Sequence, residues 1–197
     1  MIHLNGNMLC AVDVETTGEI PGHHDMWQVC FLPLNEKLEP SKEVLPFYMD
    51  LLIKRPENVN LEAIKNQHRF IESQKGGVDP WFAADLFDEW FQKLNLGFRK
   101  MISPLAQNWV FDRGFVADWM GNESFNQYVD ARYRDTMVAA LYLNDAADFA
   151  VEQTPFPKVN LAYLCSQLKI EHDKAHDALA DCVVTAEIYR KMVMRRY

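Results

Sequence analysis

Residues 8–14, MLCAVDV, form a short apolar run with β-branched side chains, the pattern of a strand buried in the middle of a sheet. The chain sets Asp13 inside this run and Glu15 directly after it. Residues two apart on a strand leave the same face, so both carboxylates point one way. Like charges at the end of an apolar strand repel unless something positive lies between them, and a metal ion is the simplest compensation. A solvated strand end before a turn is the ordinary alternative. The rest of DVETTG (13–18) adds to the site: Thr16, Thr17 and Gly18 leave backbone N–H groups and a hydroxyl where a terminal sugar or phosphate could dock.

Two further islands carry similar chemistry. In NWVFD (108–112), Asn108 falls at the end of a predicted strand and Asp112 at the start of a helix. α/β proteins collect ligand groups at such a junction. In HDALAD (176–181), His176 precedes a helix and Asp181 lies about one turn inside it. A histidine on that loop can reach a water while the aspartate stays fixed. His172, among Glu171, Asp173 and Lys174, reads as part of a solvated loop, and His23-His24-Asp25 as an exposed loop without a partner at useful spacing.

Around these islands, 26–34 and 44–53 read as strands that complete an antiparallel meander with the first. Residues 61–72 look helical, and SQKGGVD (73–79) reads as a flexible polar connection. Asp79-Pro80 then opens a helix, with Asp as N-cap and Pro at the first position. Its stripe of Phe82, Leu86, Phe87, Trp90 and Leu94 reads as core. A strand over 100–107 contains Pro104, which weakens a central assignment. A helix from Asn108 stops at Gly121, a short strand follows near 131–134, and a helix runs from Thr136 to about Asn144. An acidic, proline-bearing loop is expected over 145–158, then helices over about 160–169 and 177–195. Strands followed by strand–helix alternation predict a single α/β domain with a mixed sheet.

Taken together, the D-x-E, N-x-x-x-F-D and H-x-x-x-x-D islands resemble the DEDDh branch of the DEDD 3′-to-5′ exonucleases. ARYRDTMVAALYL (131–143) and the C-terminal stretch 160–189 resemble the same family between and after the islands. The resemblance spans essentially the whole chain, 1–197. It implies a ribonuclease H-like fold with a mixed five-stranded sheet flanked by helices. It also implies that Asp13, Glu15, Asp112 and Asp181 hold two Mg²⁺ or Mn²⁺ ions, with His176 as general base. Thr16, Thr17 and Asn108 would position the terminal nucleotide, and Asp135 reads mainly as a helix cap. The implied reaction releases nucleoside 5′-monophosphates from the 3′ end of single-stranded DNA. RNA tails or short oligoribonucleotides are the alternative substrate. A scaffold module that has lost activity is disfavoured by the complete carboxylate–histidine set. Nothing in the chain encodes a polymerase, so proofreading would need a polymerase or other replication protein as partner.

Composition bounds the rest. The net charge of −8 argues against broad duplex binding and suits a small pocket gripping a strand end, with part of the positive charge carried by ions. The four cysteines lack CxxC spacing and read as reduced core residues. The absence of a long apolar run excludes a membrane span, and the N-terminus reads as a strand and not a signal peptide, which makes the cytoplasm the expected location. Oligomeric state leaves no mark. The segment 19–34 departs from the family pattern at Gln28 and Cys30, Gln107 stands where relatives often carry histidine, and 54–79 aligns poorly. Trp109 reads as a buried strand-end aromatic rather than a base-stacking one. Arg190, Lys191, Arg195 and Arg196 read as phosphate contacts or as ordinary cations of a helix end.

Overall fold

Alternation along one strand decides the architecture. Strand β2 (Asn7–Thr16) sends Cys10, Val12 and Val14 into one apolar cluster and Leu9 and Ala11 into another. Asp13 and Glu15 continue the second set, beyond the point where the apolar side chains stop. The computed structural model describes residues 2–3, 6–65 and 69–194. Strand β1 (Ile2–His3) pairs with the first residues of β2. Strand β3 (Met26–Pro33) pairs antiparallel with β2, and β4 (Phe47–Asp50) pairs antiparallel with β3 at the sheet edge. On its other side come β5 (Ile102–Ala106) and β6 (Arg134–Asp135), both parallel to β2. The five-strand order is β4-β3-β2-β5-β6, a mixed sheet of ribonuclease H type.

Pro104 is compatible with β5 for a simple reason. The C=O of Ile102 accepts from Asp130 N–H on the side away from β2, and residues two apart share a side. The absent N–H of Pro104 therefore faces outward, ahead of Leu105, where β6 begins to pair.

One face of the sheet carries α3 (Pro80–Lys93) and α4 (Trp109–Met120) over an aromatic core centred on Phe87, which meets Phe31, Phe47, Trp90 and Trp119. Asp79 caps α3 by accepting from Trp81 N–H at 2.9 Å. The other face carries α8 (Ala178–Met194), whose Ala178, Cys182 and Ala186 let the helix approach the strands closely. α6 (Thr136–Phe149) and α7 (Leu161–Leu168) pack outside α8. All four cysteines are buried and free. Among the described residues no helix is long and apolar enough to cross a membrane.

Several expected elements change extent. The strand expected over 44–53 is reduced to β4. The helical stretch 61–72 becomes α1 (Leu61–Ile64) and α2 (Phe70–Gly76), with 66–68 outside the described residues. α2 takes in the first part of the expected flexible connection, because Ser73 turns inward and bonds Phe70 C=O at 2.7 Å. α6 continues past Asn144 through the acidic stretch, burying Ala147. Asn144 instead fastens the loop behind it, bonding both backbone groups of Phe156. The short helix α5 (Asn122–Tyr128) has no sequence signature beyond Phe125, the one residue it buries. Phe82 leaves the predicted core stripe and is 57% exposed. Of the C-terminal cations, Arg195 and Arg196 lie outside the described residues, while Arg190 and Lys191 pair with Glu187.

Candidate active site

The face alternation of β2 brings Asp13 and Glu15 under the start of α8, and there they meet Asp181. Ligand oxygens of these three residues all lie within 4.8 Å of one another. Asp112 joins from α4. β5 accompanies β2 only as far as Ala11, so the amide of Val14 lacks a strand partner there, and Asp112 Oδ1 accepts from it at 3.1 Å. That bond pins the first turn of α4 to β2 beside the acidic group.

Burial and mutual repulsion dominate the electrostatics. Asp13 is held far above the usual carboxylate range by burial, then by the charges of Asp112, Glu15 and Asp181. Glu15 is pushed up to about 8 by burial and by Asp181, Asp112 and Asp177. Burial also raises Asp112, against the pull of backbone N–H groups that include Val14. Asp181 is raised by burial and partly relieved by His172 and His176. Four acidic side chains that resist ionisation without a counter-charge form a site suited to a hard cation.

The two histidines divide differently from the sequence reading. His172 does not sit in a solvated loop: its ring is nearly buried, with Nε2 at 2.6 Å from Asp181 Oδ1. His176 is exposed on the turn before α8, at a φ of 65°, and its backbone N–H supports the Asp181 carboxyl. No sequence periodicity links positions 172 and 181, so only the fold reveals that contact.

The loop after β2 also takes a definite form. Thr16 Oγ1 donates to Gly18 C=O at 2.7 Å. Thr17 is fully buried; its hydroxyl accepts from Asp25 N–H at 2.9 Å and its C=O from Asn60 N–H at 2.8 Å. Thr17 thus braces the loop from below, and its hydroxyl is not at the surface. The His23-His24-Asp25 trio is part of that brace. His24 Nδ1 accepts from Ile20 N–H, and Asp25 accepts the amides of Lys54 and Arg55. A Cβ at Gly18 would stand 2.2 Å from His24 Cδ2, so any other residue there must displace the His24 ring.

Asn108 adopts the left-handed conformation that asparagine tolerates, with its side chain exposed and not used as a cap. Asp135 takes over that task for two helices. It accepts from Asn108 and Trp109 N–H at the start of α4 and from Met137 and Val138 N–H at the start of α6. Gln107 is structural, bonding Val159 C=O and Thr136 Oγ1, and Trp109 is buried.

The RNase_T exonuclease family matches this sequence over residues 10–189, a span that holds every one of these groups. The chain belongs to that exonuclease family. Its three islands are those of the family's DEDDh type. No curated protein sequence matches the chain. Among solved structures, E. coli Exonuclease I in a zinc-bound complex with single-stranded DNA superposes with a TM-score of 0.74 at 18% identity. That match covers 96% of this chain and 41% of the other, so the chain spans well under half the length of Exonuclease I. Cell-death related nuclease 4 gives a TM-score of 0.70 at 14% identity, covering 96% of this chain and 64% of the other. A 3′-exonuclease solved in recognition of the histone mRNA stem-loop gives 0.69 at 14% identity, covering 100% and 66%. These likenesses establish the shared fold.

Proposed function

We propose that this chain is a divalent-metal-dependent 3′-to-5′ exonuclease that acts on single-stranded DNA ends and releases nucleoside 5′-monophosphates. The observation that carries the reading is the convergence of Asp13, Glu15 and Asp181 within 4.8 Å, with Asp112 locked beside them. The donor set fits Mg²⁺ or Mn²⁺: all oxygen, with Glu15, Asp112 and Asp181 buried and Asp13 partly exposed, and short of positive charge. Asp13, Glu15, Asp112 and Asp181 would hold two such ions, which supply Lewis acidity toward phosphate oxygens and an acidified water when bound.

The remaining roles belong to side chains. His176, exposed on its turn, takes the proton of the attacking water as general base. His172 holds Asp181 in place through its Nε2 contact. The exposed Asn108 contacts the terminal nucleotide, and Thr16 and Thr17 keep the loop after β2 in shape for it. DNA is favoured by the likeness to Exonuclease I, whose structures hold single-stranded DNA.

Timed digestion of matched labelled DNA and RNA oligomers with Mg²⁺ or Mn²⁺ tests both levels. Stepwise loss of mononucleotides from the 3′ end, abolished by Asp13→Ala or Asp181→Ala in folded protein, is the expected result. Faster digestion of RNA would move the substrate to RNA tails. Full activity in either variant would refute the metal-site assignment.

A further inference from the structure

Beside the carboxylates lies a second polar cluster, built from residues on β3, β4, the turn before α2 and the residue that opens α8. Gln28 on β3 is fully buried and pairs with Glu15 across the β2–β3 ladder. Its Oε1 accepts from Ala178 N–H at 2.8 Å, and its Nε2 donates to Asp50 Oδ1 at 2.6 Å and to Tyr48 Oη at 3.2 Å. The Tyr48 hydroxyl donates its single proton to Asp177 Oδ2 at 2.8 Å. Arg69 closes the cluster. Its Nη1 donates to both Tyr48 Oη and Asp177 Oδ2, and its Nη2 donates to Asp50 Oδ2 at 3.1 Å. Asp177 Oδ1 meanwhile accepts from Ala180 N–H at 3.1 Å, capping α8.

We propose that Arg69 is a positioning residue, gripping Asp177 so that the start of α8 presents His176 and Asp181 to the carboxylates of β2. This rests on the exonuclease reading above. Asp177 is the residue between His176 and Ala178, so whatever fixes it fixes the turn that carries the base. A planar guanidinium can hold Asp50 and Asp177 at once with separate N–H groups, which an ammonium cannot do with the same geometry. It also offsets two carboxylates that lie next to an already crowded acidic site, where the charge of Asp177 adds to the repulsion on Glu15. The Arg69 side chain is 43% exposed, so its ion pairs contribute little to global stability. Its effect is local.

The test compares Arg69→Met, Arg69→Lys and Asp177→Asn in the full chain, on a 3′-labelled single-stranded oligonucleotide with Mn²⁺. Asparagine at 177 keeps a side-chain cap for α8 while removing the charge that Arg69 holds. Arg69→Met and Asp177→Asn should each lower kcat about 10- to 100-fold, the range for losing a residue that orients a metal-site ligand, with KM nearly unchanged. Arg69→Lys should recover part of the loss. In a His176→Ala background, Arg69→Met should cost distinctly less than in the wild type, since both changes act on the same group. Hydrogen exchange of the amides at 176–180, read without substrate, should quicken in Arg69→Met while the core strands keep their protection.

A rise in KM with kcat intact would make Arg69 a substrate contact and overturn the proposal. Full additivity with His176→Ala, or unchanged exchange at 176–180, would do the same. If the wild type digests neither DNA nor RNA, the exonuclease reading fails, and the exchange measurement still decides whether Arg69 positions the start of α8.

Discussion

The acidic site makes the metal-free fold sensitive to alkali, and the sense of the effect follows from the proton affinities. Asp13, Glu15, Asp112 and Asp181 all hold protons more tightly in the folded chain than carboxyls ordinarily do. Stability from such groups is fully present below the unfolded carboxylate range and is lost as pH rises through the folded value. For Glu15 that window runs from 4.5 to about 8. At 1.36 kcal/mol per pKa unit, it corresponds to about 5 kcal/mol if Glu15 titrated alone. The four neighbours share their protons, so a loss of roughly 2–5 kcal/mol across the window is expected, a large part of ordinary domain stability. In a chain of this size that is a fall of about 5–15 °C in Tm. Thermal melts in EDTA at pH 5, 6.5 and 8.5, on wild type and Asp13→Asn, isolate the site from other titrating groups. Asparagine removes one charge at nearly constant shape, so the variant should overtake the wild type in stability as pH rises. Saturating Mn²⁺ should reverse that order, because only the wild type keeps the full ligand set. Parallel melting of the two proteins across pH in EDTA would refute the reasoning.

Three further outcomes are expected. His176→Ala should cost on the order of 10²–10⁴ in kcat and remove the lower limb of the pH–rate profile; a retained limb would take the role of base away from it. His172→Ala should weaken Mn²⁺ binding about 10- to 100-fold by freeing Asp181, while activity at saturating metal falls much less; calorimetric titration reads the first effect, and an unchanged affinity would show that the His172–Asp181 contact does not orient the ligand. Gly18→Ala should lower Tm and activity together, since the new methyl group meets the His24 ring that braces the loop after β2; unaltered melting would mean the ring moves aside at no cost.

Much of the site was legible because it depends on local rules. A strand with apolar residues at alternate positions must present Leu9, Ala11, Asp13 and Glu15 on one face, whatever packs there. The helix expected after His176 carries Asp181 in its first turns, and in the fold Ala178, Cys182 and Ala186 lay that helix against the same face. The cap at Asp79, the stop at Gly121 and the buried Trp109 followed from equally local chemistry. α5 and the true length of α6 were not legible, because each is held by a few contacts made after the chain has folded. Acidic residues at 145 and 148 look like loop, yet an inward Ala147 is enough to carry the helix through them.

The departures at the site share one cause. Gln28 looked like a deviation in the strand after DVETTG, and 54–79 looked like poorly matched filler. In the fold, Gln28 reads the amide of Ala178, and Arg69 from that filler holds the residue beside His176. Asn60 reaches from the same segment to the C=O of Thr17, which shapes the other side of the site. The segment therefore touches both halves of the acidic centre, the loop after β2 and the start of α8. Residues 28, 48, 50, 69 and 177 have no periodic relation; the antiparallel pairing of β3 with β4 joins the first three, and the packing of α2 and the start of α8 adds the other two. A family pattern built on the carboxylates and histidine is blind to such support, because any set of residues that fixes the same two backbones will serve.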